Sequence, residues 1–360
     1  MCRCKAVFRK AEQGRGSGVT AAGADILTPP GVAQFAEFPA DFGTRFWVTI
    51  DTEEDFDWDK PFSRVHHGLA SLSRLADCQA YFEARGVSPI YLVDWPVLND
   101  GEATALLRGA VARGAAEVGA QLHPWVTPPF AEVVNSRNSY TGNLPAPLQF
   151  AKAQALRDRI AAAIGAAPLA YRAGRYGLGS ATARILNELG FRCDTSVRAG
   201  FDYRAGHGPD YRHFPLRPWW VDDALLEVPL TSLFLGSLGE GTYHRLARWG
   251  GAALSVAARF GLVERIALTP EGIPAARACA AIDRALELGL PLLNFSFHSP
   301  SLAPGNTPYV RSEADLAAFY GWWDQVLAHL DRRGARASTV AEVLAAAGRT
   351  PGLPSAAAVR

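Results

Sequence analysis

Phe46-Trp-Val-Thr-Ile50, running directly into Asp51-Thr-Glu53-Glu54-Asp55, is the stretch on which the fold turns. Its first half is apolar and β-rich, the signature of a short buried strand. Its second half is a cluster of carboxylates at the point where that strand must end. If the extended conformation persists, residues 51 and 53 point the same way, because side chains alternate along a strand. Such a cluster offers both a base and a metal ligand. The competing reading is an acidic helix start or a solvated loop, since carboxylates favour helix N-termini.

Outward from this point the chain alternates. Residues 69–85 read as an amphipathic helix closed by Gly86, and Ser88-Pro-Ile-Tyr-Leu-Val93 as the next strand. Helices are expected over 102–114, 147–164, 180–189 and 339–347, with strands at 117–122, 168–171, 191–193 and 225–229. The region 242–289 reads as mostly helical, and Pro291-Leu-Leu-Asn-Phe-Ser-Phe297 as the clearest buried strand. Ser312-Glu-Ala-Asp315 resembles a capping box opening a helix to Arg333. Repeated strand–helix units without a break in composition predict an α/β protein, a single distorted parallel β/α barrel over residues 45–348. An open doubly wound sheet is the alternative, since periodicity does not show closure. Residues 1–44 lack sustained periodicity and are expected to form a disordered or loosely attached leader, and 349–360 a flexible tail.

Composition narrows the function. With 360 residues, 36 basic and 35 acidic, the chain carries a net charge of +1. That balance argues against nucleic-acid binding through a broad basic surface and against an electrostatic membrane tether. It suits an uncharged or mildly charged small partner. The basic residues comprise 32 Arg and 4 Lys, which we read with the Ala and Gly richness as coding bias. Five cysteines at irregular spacing suggest neither a disulfide framework nor a cysteine zinc site. No apolar run is long enough for a membrane span, and the start lacks the apolar stretch of a signal peptide, so a cytoplasmic location is expected.

The informative pattern lies at the C-terminal end of each strand. Asp51, Asp94, His123, Arg172, Asp194 and His298 all stand at expected strand ends. In a parallel barrel these ends share one mouth, where active sites lie. His298, after a buried strand and before Ser299-Pro300, is a candidate general acid or base. Arg172 could orient a carboxylate, or pair with a buried Asp such as Asp194. Arg175, Tyr176 and Asp94 are candidate substrate contacts. Trp58, Trp95 and Trp125 could stack on sugar rings or fill the core.

These stretches, taken in order, resemble the NodB-homology polysaccharide deacetylases, carbohydrate esterase family four, and within it the divergent WalW-type branch. The resemblance covers about residues 45–345. It rests on Thr49-Ile-Asp51-Thr-Glu53, on Glu117-Val-Gly-Ala120 followed by Gln121-Leu-His123-Pro-Trp125, on Arg172-Ala-Gly-Arg-Tyr176, on Asp194-Thr-Ser196 and on Phe297-His298. Against the family pattern, Thr52 replaces the usual second Asp, and Gln121 and Trp125 stand at the two metal-histidine positions.

The resemblance implies a hydrolase that removes an N-acetyl group from a carbohydrate with the help of a divalent metal, zinc by family habit. Asp51 would be the base, His298 the acid, Arg172 and Asp194 part of the catalytic set, and Glu53 with His123 the metal ligands. Arg175, Tyr176, Trp125 and Asp94 would contact substrate. A zinc site ordinarily takes three protein ligands, so Glu54, Asp55 or another strand-end residue would have to complete it. Two other readings compete: an inactive deacetylase-like carbohydrate-binding protein, and a glycoside hydrolase using two carboxyls.

Overall fold

The structure, a computed structural model, describes residues 25–57 and 60–349. Seven parallel strands carry the fold: β1 (Arg45–Thr52), β2 (Ile90–Val93), β3 (Glu117–Leu122), β4 (Ala170–Ala173), β5 (Cys193–Asp194), β6 (Leu226–Glu227) and β7 (Leu292–His298). They hydrogen-bond in the order β7-β1-β2-β3-β4-β5-β6, so the sheet curls with helices outside it. The gap between β6 and β7 is bridged by irregular backbone. Thr231 donates its N–H to the Asn294 carbonyl, and Ser296 donates to Leu268, whose own N–H reaches Thr231. The barrel is thus distorted, as the sequence predicts, and it closes without a regular eighth strand.

Alternation along these strands builds two apolar layers with a polar shaft between them. Phe46, Val48, Ile50, Leu293, Phe295 and Phe297 face outward beneath the helices. Trp323 on the helix Glu313–Arg332 meets Phe82 at 5.2 Å and Phe295 at 5.8 Å between ring centroids. Trp47, Leu92, Ala170, Cys193, Leu226 and Leu292 face inward and fill the floor. Above that floor the inward residues become polar, with Thr49, Thr195 and Asn294, and then charged, with Asp51 and Arg172. All five are buried.

Two expectations need correction. Residues 25–44 are not loosely attached: Ile26, Ala36 and Phe42 are buried, and Ala36–Glu37 pairs antiparallel with Gly348–Arg349. Phe42 joins the inner cluster with Trp47, so this segment plugs the bottom of the barrel. The remainder of the expected leader, and the tail from residue 350, lie outside the described residues. The region 242–289 is mostly helical, as expected, interrupted where Glu264–Ala267 pairs antiparallel with Ser232–Leu235 between two helical stretches. A four-residue strand flanked by Ala-rich helices leaves almost no periodic signal of its own. Finally, Trp219–Trp220, in the Arg- and aromatic-rich segment 197–224 that reads from the sequence as a lid or substrate-side insertion, is a buried edge strand antiparallel to β6. Among the described residues, no helix is long and apolar enough to cross a membrane.

Candidate active site

Strand register brings the predicted residues together. Asp51 on β1 lies beside His298 on β7, and Gln121 on β3 beside Arg172 on β4. They line a cavity of about 140 Å³ with Glu53, Phe56, His123, Arg175 and Tyr176.

Arg172 is fully buried and spends its guanidinium on this wall. Nη1 donates to Asp51 Oδ1, Nη2 to the Thr49 hydroxyl at 2.9 Å, and Nε to the Thr195 carbonyl at 2.9 Å. Its carboxylate partner is therefore Asp51 and not Asp194. On β5 the inward residue is Cys193, so Asp194 faces away from the cavity and accepts from the Ser196 hydroxyl at 2.7 Å and the Ser196 N–H at 3.1 Å. Burial raises the Asp194 carboxyl above its usual range. The Ser196 hydroxyl in turn accepts from the Ala173 N–H at 2.8 Å, which makes Asp194 a support for the wall beneath Arg172.

His298 is held by Glu271. Its Nδ1 lies 2.8 Å from Glu271 Oε2, its backbone N–H donates to Glu271 Oε1 at 3.1 Å, and its Nε2 stands 3.6 Å from Asp51 Oδ2. Burial disfavours the imidazolium, but the charges of Glu271, Glu53 and Asp51 outweigh it and raise His298 to about 10. At neutral pH this histidine is a cation with an N–H aimed into the cavity. Glu53 moves the other way in charge: burial lifts its carboxyl to about 8, against the pull of His298 and His123.

The signs give a test. A histidine raised from its usual 6.5 to about 10 stabilises the fold fully below 6.5 and loses that contribution as pH rises to 10. Glu53, raised from 4.5 to about 8, adds its own decline over that lower range. Between pH 8 and 9 only the histidine contribution of the two remains, before the buried Cys78 and Cys193 thiols, raised by burial, add their own decline above 9. In chelator-treated protein, unfolding free energy should fall in that window by up to about 1.4 kcal/mol per pH unit. Denaturant titrations of His298→Gln should show that slope removed. A slope retained in the variant would refute the pairing.

His123 is fixed from behind. Its Nδ1 lies 2.9 Å from Glu54 Oε2, while Glu54 Oε1 accepts the Trp125 indole N–H at 2.7 Å. Asp94 holds Glu54 in turn, accepting its backbone N–H at 3.0 Å and that of Val97 at 3.1 Å. Burial raises both the Glu54 and the Asp94 carboxyls. Glu54, Asp94 and His123 bring one ligand atom each within 4.8 Å of one another and could hold a metal ion. Their carboxylate oxygens, however, already accept N–H groups from protein. The arrangement matches the carboxylate partner that commonly fixes a metal-binding imidazole, leaving the other ring nitrogen as the ligand.

That other nitrogen faces the cavity. His123 Nε2 is 3.5 Å from Glu53 Oε2, close to the roughly 3.4 Å that separates neighbouring ligands in a tetrahedral zinc shell. Gln121 Nε2 donates to the same Glu53 oxygen at 2.9 Å, and Gln121 Oε1 is buried with no partner among the described residues. A carboxylate oxygen, an imidazole nitrogen and an orphaned carboxamide oxygen at one cavity fit a divalent cation.

Two predicted substrate contacts are placed elsewhere. Trp125 is buried, packs between His123 at 4.3 Å and Phe62 at 4.5 Å between centroids and spends its N–H on Glu54, so it offers the groove beside Phe56 an edge and not a stacking face. Asp94 is equally buried behind His123. Trp58 lies outside the described residues. Arg175 and Tyr176 do reach the cavity, through two successive left-handed residues with φ of 56° and 62°. Such strain in non-glycine residues is found where function fixes a side chain's aim.

Glu271 and Phe56 are not legible in the sequence. Glu271 comes after the short strand Glu264–Ala267 in a region that reads as helix, and Phe56 sits among the acids.

No family model and no curated protein matches the chain. Among solved structures, it is similar to a 4-alpha-glucanotransferase from Thermococcus litoralis at 12% identity and a TM-score of 0.48, over 84% of this chain and 40% of that one. A family 4 carbohydrate esterase from Streptomyces lividans, in complex with acetate, matches at 14% identity and a TM-score of 0.41, over 86% and 98% of the two chains. A CE4 family pseudoenzyme from Bacillus anthracis matches at 9% identity and a TM-score of 0.43, over 86% and 68%.

Proposed function

We propose that the chain is a hydrolase that removes an N-acetyl or related acyl group from a saccharide. One observation carries this reading: Asp51, protonated His298 and the cavity-facing Nε2 of His123 converge on a single buried cavity. A divalent metal would be held by Glu53, His123 and Gln121, where it would polarise an amide carbonyl and acidify a water. Arg172 keeps Asp51 in place as the group that takes the water's proton. The N–H of His298, set by Glu271, is the proton source for the departing amine. Open grooves of about 580 and 590 Å³ meet at Phe56 beside the cavity, each large enough for a sugar unit.

The test is acetate release from N-acetylated chitotetraose and from a chondroitin tetrasaccharide, after chelation and reloading with zinc, cobalt or manganese. Release from either that tracks metal supports the reading; no release from either with any of the three overturns it. A second reading, a deacetylase-like carbohydrate-binding protein without activity, is favoured by the carboxamide at residue 121, a weak metal ligand. Saccharide binding without acetate would support it, and new reducing ends would indicate a glycoside hydrolase instead.

Gly174 gives a separate check on the metal assignment. A Cβ there would stand 2.3 Å from His123 Cδ2 and 2.6 Å from the Leu122 carbonyl. Gly174→Ala must push the imidazole out of line, and should weaken zinc binding about 10–100-fold in a direct titration. Unchanged affinity would remove His123 from the ligand set.

A further inference from the structure

The net charge of +1 hides a local imbalance. Most arginines near the site have an acid: Arg172 has Asp51, while Arg204 pairs with Asp202 at 2.8 Å and Arg212 with Asp210 at 2.6 Å. Arg175, Arg198, Arg265 and Arg248 differ. Among the described residues, no carboxylate oxygen lies within 4.0 Å of any of them. Three are held instead on aromatic faces. The Arg175 guanidinium sits 4.1 Å from the Tyr140 ring centroid, Arg198 lies 4.1 Å from Phe201 and 5.1 Å from Tyr176, and Arg265 lies 3.3 Å from Phe201 and 5.0 Å from Tyr243.

These contacts form a path. Arg175 and Tyr176 line the reacting cavity. Arg198 spans from Tyr176 to Phe201, and its Nε is buried with no partner among the described residues. Phe201, Arg265, Tyr243 and the exposed Arg248 then line an open cleft of about 660 Å³, room for more than one sugar ring. The cleft is crowded with cations. Burial, then the nearness of Arg212 and Arg265, depresses the His244 imidazole there, and Arg265 is itself lowered by burial, with Arg198 adding to the effect. Stacking fixes a guanidinium's position without neutralising it, and one nitrogen each of Arg175, Arg198 and Arg265 donates to Ser139, Tyr203 and Gly200, which leaves their remaining N–H donors for an anion.

We propose that the saccharide handled at this site is polyanionic, its carboxylate or phosphate groups lying along Arg175, Arg198, Arg265 and Arg248. The inference rests on the hydrolase reading for what happens in the cavity, but the path can be tested without turnover. Binding of trigalacturonate, a chondroitin tetrasaccharide and maltotriose to the full-chain Asp51→Asn variant would be measured by calorimetry at low and high salt. Both acidic sugars should bind at least tenfold tighter than neutral maltotriose and lose that advantage in salt. Arg198→Ala should weaken them about tenfold or more, and the exposed reversal Arg248→Glu, which puts no buried packing at risk, should do the same. Equal affinity for maltotriose, no binding of either acidic sugar, or indifference to Arg248→Glu overturns the proposal. Failure of acetate release with these binding results intact would count against the hydrolysis alone.

Discussion

Arg172→Met is expected to destabilise the fold by about 3–5 kcal/mol, the loss typical of breaking one side of a buried ion pair. Methionine fills comparable volume, so the effect should come from polarity and not from a cavity. The variant leaves Asp51 buried without its cation, and strips donors from the Thr49 hydroxyl and the Thr195 carbonyl. Burying a charge unpaired is far more costly than losing a neutral hydrogen bond. The urea midpoint should drop sharply while the slope stays unchanged, since the surface exposed on unfolding is the same. Combining Arg172→Met with Asp51→Asn should recover part of the loss, because the carboxylate is then gone as well. Single-variant losses that simply add would show that the two residues do not act as a pair.

The same pair shows what the sequence could and could not disclose. An apolar run ending in a charged residue is visible in one dimension, and this is why Asp51, Arg172 and His298 were found. Which face of a strand looks inward is not visible when both faces are buried, as they are in parallel sheets. Asp194 stands at the end of its strand as Asp51 stands on β1, yet Cys193 takes the inward place and turns Asp194 outward. The hold of Glu54 and Asp94 on His123 spans 69 residues from Glu54 to the imidazole, a pairing that exists only after the strands align. Glu271 was hidden for a different reason, since it comes from irregular backbone that spans the gap in the barrel. Strand-end chemistry was therefore legible, and the layer supporting it was not. The segment 25–44 carries no such signal, because its contacts are a two-residue strand and single plugging residues, Ala36 and Phe42, with no periodicity to announce them.

The supporting layer also explains how two acid–base groups so close together can take opposite roles. Asp51 is held by the Arg172 guanidinium, whereas His298 is given a permanent anion in Glu271, which favours its charged form. On the proposed reading, Asp51 would receive the water's proton and His298 would supply one to the leaving group. Their 3.6 Å separation leaves no need for either to move far.

His298→Gln should therefore lower the turnover of amide hydrolysis by about 10²–10⁴, the usual contribution of a positioned proton donor, with little change in saccharide affinity. Glutamine keeps a donor for Glu271 but has no proton to give up at neutral pH. Wild-type activity should decline as pH rises towards 10, where the imidazolium is lost, and the variant's residual activity should lack that limb. The choice of leaving group provides the sharper criterion. An amine must be protonated as it departs, whereas p-nitrophenolate from p-nitrophenyl acetate leaves unaided. On the ester, His298→Gln should lose less than tenfold, while Asp51→Asn should lose nearly as much as on the amide, because both substrates need the water's proton removed. Equal losses on the two substrates in His298→Gln would mean that His298 shapes the cavity electrostatically and donates no proton.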